Sequence, residues 1–144
     1  MADDGLGVHT IQKLREFQFP EDVEIVDGGT RGLDLLPFLE DKTHIIFIDA
    51  VNLNKKPGEL IVLKGDELKS YLNIKFSPHE IGISDLLFSA GLMGILPEEI
   101  VLIGLQPYKI EPSIELSDMI KEKFNLLIDE ILKILQSWDI NLNA

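Results

Sequence analysis

The chain has 144 residues, of which 45% are hydrophobic, and its mean hydropathy is +0.14. This composition is enough to bury one continuous core in a single domain and argues against a disordered chain. The formal charge of -12, with 13 Lys and Arg residues, argues against nucleic acid as a partner, because phosphate binding needs a basic surface. An anionic membrane surface is disfavoured for the same reason.

The chain contains no cysteine, which excludes disulfides, thiolate metal sites and a cysteine nucleophile. It does not begin with a basic stretch followed by an apolar segment, and no apolar run reaches the roughly 18 residues that cross a bilayer. These observations predict a cytoplasmic protein that does not enter a membrane.

The first half of the chain alternates between helical and extended patterns. Apolar residues at helical spacing predict a helix over residues 7–17, which Pro20 ends. A β-branched run predicts a strand over residues 23–26, and a glycine turn and a short helix over residues 33–39 follow. The apolar run at residues 45–48 predicts a buried parallel strand. Residues 59–63 predict an antiparallel edge strand, because the connection is too short for a helical crossover.

The second half continues the alternation. The segment Ser77-Pro78-His79-Glu80 combines an N-cap serine, a proline at the first helical position and a glutamate two residues later, and predicts a helix over residues 78–92. A buried strand over residues 99–104 and a long amphipathic helix over residues 116–138 follow. Together the elements predict a single three-layer α/β domain over residues 1–144. Its twisted sheet is mostly parallel, with one antiparallel edge strand and helices on both faces.

Three side chains that can bind a metal, Asp4, Asp49 and His79, lie where apolar runs or tight turns end. Asp49 follows a wholly apolar strand, so its poorly solvated carboxylate needs a cation or several hydrogen-bond donors. His79 lies at a helix N-terminus, which disfavours the imidazolium and leaves a neutral ring able to bind a metal. His9 and His44 lack such a setting and are predicted on a helix surface and at the entry of a strand.

Each of these residues also has a purely structural interpretation. Asp49 could accept backbone N–H groups from the next turn, His79 could be a tolerated polar residue of the helix start, and Asp4 could cap the first helix with Asp3. The loop at residues 27–32 could bind a phosphate, but it lacks both the dinucleotide-binding spacing and the P-loop lysine. No serine lies in a Gly-x-Ser-x-Gly elbow. A water- or metal-assisted reaction and a metal-recognising binding module both remain open.

Five segments in order resemble the endopeptidases that mature nickel-iron hydrogenases, and they cover nearly the whole chain. The first three are Asp3-Asp4-Gly5-Leu6-Gly7-Val8, Asp27-Gly28-Gly29-Thr30 with the following Gly32-Leu33-Asp34-Leu35-Leu36, and Ile48-Asp49-Ala50. The last two are Ser77-Pro78-His79-Glu80-Ile81-Gly82 with Asp85-Leu86-Leu87, and Leu102-Ile103-Gly104-Leu105-Gln106-Pro107 with Ile110-Glu111-Pro112. No single segment is diagnostic, but the set is specific.

The resemblance implies a cytoplasmic, aspartyl-type endopeptidase that removes the C-terminal extension of a hydrogenase large-subunit precursor after nickel insertion. It implies that Asp4, Asp49 and His79 are the metal-binding and catalytic positions, and that Asp27, Gly28, Gly29 and Thr30 contact the substrate. The nickel would belong to the substrate, and the isolated protein would carry none.

One departure from the family concerns the start of the chain. In the family a strand ending in a Gly-x-Gly-Asn type segment precedes the first glycine turn, whereas here only Met1 and Ala2 precede Asp3. Met1 therefore resembles an internal methionine of that loop. Loss of this central strand would predict self-association or direct closure of the neighbouring strands. Two further function classes stay open: a non-catalytic metal-checking or scaffold protein, and a small-molecule enzyme that uses the loop at residues 27–32.

Overall fold

The computed structural model describes residues 6–26, 32–51, 53–74, 78–106 and 114–142. At residues 6–8, 32, 74, 78–81 and 114–120 it describes the backbone alone. The helices are α1 (Leu6–Leu14), α2 (Leu36–Leu39), α3 (Gly65–Ile74), α4 (Pro78–Met93) and α5 (Ile114–Ser137), with a 3-10 turn at Gly32–Leu35 before α2. The strands are β1 (His44–Ile48), β2 (Leu60–Lys64) and β3 (Glu99–Leu105).

The three strands form one mixed sheet in the order β1-β3-β2. Strand β1 runs parallel to β3. Directly after β1, the Asp49 N–H donates to the Ile103 carbonyl and the Val51 N–H donates to the Leu105 carbonyl, each at 3.1 Å. Strand β2 runs antiparallel to β3. Just before β2, the Gly58 N–H donates to the Gln106 carbonyl, and the Gln106 N–H donates to the Glu59 carbonyl. The predicted α/β class and the predicted antiparallel edge strand are therefore confirmed, whereas the single domain over residues 1–144 stays a prediction.

The predicted strand at residues 23–26 is wrong, since this segment has no regular secondary structure. The Val23 N–H donates to the Pro20 carbonyl at 3.1 Å, and the Ile25 carbonyl accepts a hydrogen bond from the Arg15 guanidinium at 3.4 Å. A β-branched run becomes a strand only where a neighbouring strand supplies ladder hydrogen bonds. Among the described elements, the three strands of the sheet pair with one another and leave this segment as an irregular connection.

Helix α3 was not predicted from the sequence, although its signal is present. Asp66 and Glu67 lie in its first turn, where the helix dipole favours acidic side chains. Leu68 and Tyr71, one helical turn apart, are both buried. Gly65 joins β2 directly to this helix at φ +60°, a conformation that glycine adopts without penalty.

The contacts of the chain separate into two compact units. The first comprises Met1–Asp27, Ile48–Ile61 and Ile103–Ala144. In this unit α1 packs on α5. Its buried apolar side chains include Leu14, Val51, Ile61, Ile103, Leu105, Leu127, Ile128 and Ile131.

The second unit comprises Gly28–Phe47 and Val62–Leu102. Its central cluster is Leu39, Leu86 and Ala90, against which α2, β1 and α4 place further apolar side chains. Helix α4 is apolar over much of its surface, and Phe88, Leu92 and Met93 on it are largely exposed. Within the described ranges, no helix combines the length and the apolar character needed to cross a membrane.

Candidate functional site

Asp49 lies directly after the last residue of β1, as predicted, and its side chain is half-buried. Its Oδ1 atom accepts the N–H of Ala50 at 2.8 Å. This is the hydrogen bond that the structural interpretation of a strand-end aspartate predicts. A carboxylate offers about four lone-pair positions, so this contact is compatible with a second role as a metal ligand.

Gly104 of β3 allows the backbone of Asp49 to lie unusually close. A Cβ atom built at Gly104 would collide with the carbonyl oxygen of Asp49 and would lie 2.9 Å from its carbonyl carbon and 3.1 Å from Val51 Cγ2. Any side chain at this position therefore requires the backbone at Asp49 to move. Sequence reasoning missed this role, although a glycine inside an apolar strand is a known sign of close backbone approach.

Gln106 follows β3 and is only 3% exposed. Its Oε1 atom accepts the backbone N–H groups of Leu53 and Lys55, at 2.8 and 3.2 Å, which lie in the connection after Asp49. Gln106 belongs to one of the segments that resemble the family, but no role was predicted for it. A signal was present in the sequence, because a polar residue at the end of a wholly apolar strand needs hydrogen-bond partners, as Asp49 does.

The other predicted site residues are described less fully. The backbone of His79 lies in the first turn of α4, which begins at Pro78 as predicted, and the side chain lies outside the described part. Asp4 and the predicted substrate loop of Asp27, Gly28, Gly29 and Thr30 also lie outside it. The described residues include no group of three or more acidic or histidine side chains that could hold a metal. The predicted ligand set therefore stays a prediction.

The two remaining histidines lie where the sequence predicts them. His9 is exposed on α1, and His44 is the first residue of β1. The Nδ1 atom of His44 lies 2.7 Å from the hydroxyl oxygen of Thr43, a local contact at the start of the strand. Neither residue adjoins Asp49 in the sequence, and neither was predicted to bind a metal.

Comparison with known sequences gives a consistent result. Residues 8–134 match the sequence model of a family described as hydrogenase maturation protease. The chain is 35% identical over 142 residues to the hydrogenase expression/formation protein HupD of Rhodobacter capsulatus, covering 96% of this chain and 68% of that protein. It is 30% identical over 138 residues to the hydrogenase 2 maturation protease of Escherichia coli, covering 94% and 84%.

Comparison with solved structures points to the same family as the sequence comparison. The hydrogenase maturating endopeptidase HybD from Escherichia coli aligns with a TM-score of 0.82 at 28% identity, over 97% of this chain and 88% of that one. A [NiFe] hydrogenase maturation protease from Thermococcus kodakarensis aligns with a TM-score of 0.71 at 28% identity, over 92% and 89%. The chain belongs to the hydrogenase maturation protease family and is a peptidase.

Proposed function

We propose that this peptidase removes the C-terminal extension from the large-subunit precursor of a nickel-iron hydrogenase once nickel has been inserted. The names of the relatives support hydrogenase maturation as the setting. The observation that carries the proposal in this chain is Asp49, a half-buried carboxylate at the end of β1 whose backbone fits against Gly104. The absence of cysteine is consistent with action in the reducing cytoplasm.

In this proposal the nickel is part of the substrate. Asp4, Asp49 and His79 complete its coordination, since carboxylate and neutral imidazole groups are suitable ligands for such an ion. Binding the metal would hold the neighbouring peptide bond in the site, while the loop at residues 27–30 contacts the substrate chain. Cleavage would therefore depend on nickel loading.

The test is incubation with nickel-loaded and nickel-free precursor, followed by intact-mass measurement of both. We expect the wild-type chain to shorten only the loaded precursor. Asp49→Asn should reduce cleavage by at least about 100-fold, because it removes the charge while keeping an oxygen that can accept the Ala50 N–H. His79→Ala should abolish cleavage without unfolding the protein.

Asp129→Asn on α5 is a matched control, since the side chain is exposed and the charge change is identical. Normal cleavage by His79→Ala would contradict the assigned ligand set. Tight binding of the loaded precursor without cleavage would instead support the scaffold alternative. Thermal stabilisation by a nucleotide would favour a small-molecule enzyme.

A further inference from the structure

The connection from β1 to β2 is described at residues 49–51 and 53–59, and hydrogen bonds join both of its ends to the end of β3. On the β1 side, the N–H of Val51 donates to the carbonyl of Leu105 at 3.1 Å. On the β2 side, the N–H of Gly58 donates to the carbonyl of Gln106 at 2.8 Å, and the N–H of Gln106 donates to the carbonyl of Glu59 at 2.9 Å. These bonds hold the two ends of the connection but not its middle.

The middle of the connection is held by the side chain of Gln106. Its single Oε1 atom accepts both the Leu53 and the Lys55 N–H groups. Asn54, between them, has φ +58°, and this left-handed turn lets the N–H groups on either side point to one oxygen. A carbonyl oxygen has two lone pairs, so one oxygen can accept both bonds.

Within the described residues, this segment also contains a turn in which the Glu59 N–H donates to the Lys56 carbonyl at 3.0 Å, but it buries little apolar surface. Asn54, Lys55, Lys56 and Pro57 are all exposed, so they gain little from apolar burial. Gln106, in contrast, is 3% exposed, and the two bonds it accepts are part-buried, so water competes with them less than with bonds at the surface. Removing its oxygen would leave two backbone donors without their buried acceptor.

We infer that Gln106 is a positioning residue for the cleavage reaction: it fixes the connection that leaves Asp49 and thereby orients the Asp49 carboxylate. The inference rests on the proposed function, because Asp49 is the residue through which Gln106 would act. Gln106 touches neither the metal nor the scissile bond in this scheme.

Three substitutions separate the hydrogen-bonding role of Gln106 from its bulk. Gln106→Met keeps the length of the side chain and removes the Oε1 acceptor. Gln106→Glu keeps acceptor oxygens at the same distance from the backbone. Gln106→Asn withdraws the amide by one methylene and replaces the Met variant if that variant does not fold. Leu127→Ala and Ile131→Val, two buried α5 positions in the same unit, are controls that lower the melting temperature by other means.

The first measurement is hydrogen exchange of the full chain without substrate. Gln106→Met should speed exchange at the Leu53 and Lys55 amides by at least tenfold relative to a control variant of equal melting temperature. Gln106→Glu should retain most of the protection. Unchanged exchange at both amides in Gln106→Met would overturn the inference.

The second measurement is the kinetics of cleavage of the nickel-loaded precursor. Gln106→Met should lower kcat by about 10- to 100-fold, as expected for a displaced catalytic group, while KM changes little and Gln106→Glu recovers most of kcat. An equal loss of kcat in Gln106→Met and in the control variant of equal melting temperature would mean that Gln106 only stabilises the fold. That result would overturn the inference. If the wild-type chain cleaves neither precursor, the proposed function fails and the catalytic part of the inference fails with it. Exchange at the two amides still decides whether Gln106 holds the connection.

Discussion

Two features in direct contact with Asp49 help to place it, one acting on its carboxylate and the other on its backbone. One is a hydrogen bond from the Ala50 N–H to Oδ1, and the other is the missing side chain of Gly104. The hydrogen bond is local and would form at many strand ends. The close approach to Gly104 depends on the pairing of β1 with β3, so it ties the position of Asp49 to the sheet.

Gly104→Ala should therefore impair both stability and cleavage. The added methyl group forces the Asp49 backbone away, which we expect to lower the free energy of unfolding by about 1–3 kcal/mol. Denaturant unfolding and the precursor cleavage assay measure the two effects. Gly91→Ala in α4 is the control, because a Cβ atom there meets nothing within 4 Å. It should raise the unfolding free energy by about 0.5–1 kcal/mol and leave cleavage unchanged; equal behaviour of the two variants would contradict this account of Gly104.

At the scale of elements, α4 and α5 end in the same hydrogen-bonded motif with different residues. After α4, Gly94 at φ +71° donates to the Gly91 carbonyl, and Ile95 donates to the Ala90 carbonyl. After α5, Asp139 at φ +61° donates to Gln136, and Ile140 donates to Leu135. Both are Schellman ends, which need one residue in the left-handed conformation. Glycine supplies it without penalty, and aspartate does not.

Asp139→Gly should accordingly stabilise the protein by about 0.5–1 kcal/mol, because it removes the side chain from the left-handed position. The melting temperature should rise by a few degrees. Lys133→Gly, at an exposed position inside α5, should lower the free energy of unfolding by about 1 kcal/mol. A lower melting temperature for Asp139→Gly would contradict the strain argument.

The sequence predicted the elements whose signals are local and strong. Pro78 marked the start of α4, and the wholly apolar runs marked β1 and β3. It failed for residues 23–26, where the pattern suits a strand but the partner is decided by the rest of the fold. It also failed for α3, because the direct passage from β2 through Gly65 leaves no loop to separate the two patterns.

For the candidate site, the structure can be compared with the predicted backbone positions of two residues, while the predicted ligand set stays a prediction. The position of Asp49 followed from its place after an apolar run, and the backbone position of His79 followed from the helix start. The roles of Gly104 and Gln106 depend on which residues of a distant segment lie beside them. The Gln106 side chain bonds to residues more than 50 positions earlier, a relation that residue type and spacing do not encode.

At the scale of the whole molecule, the charge of -12 is the dominant electrostatic property. Like charges on one folded chain repel one another and weaken the folded state. The Debye length falls from about 30 Å at 0.01 M salt to about 8 Å at 0.15 M, so potassium chloride over this range should raise the melting temperature.

Scanning calorimetry at several salt concentrations measures this effect. A variant carrying Glu122→Lys and Asp129→Lys, both at exposed positions of α5, has less negative charge and should show a smaller rise. An equal or larger rise in this variant would show that screening of the net charge is not the cause.

The strand order also has a consequence for synthesis of the protein. The middle strand of the sheet, β3, is the last of the three along the chain. While the ribosome translates the residues between Lys64 and Leu105, β1 and β2 have been made but the strand that joins them has not. At ordinary elongation rates this interval lasts on the order of seconds. During it, the nascent chain carries two apolar strands with open edges, which makes this the stage at which a chaperone would have most to protect.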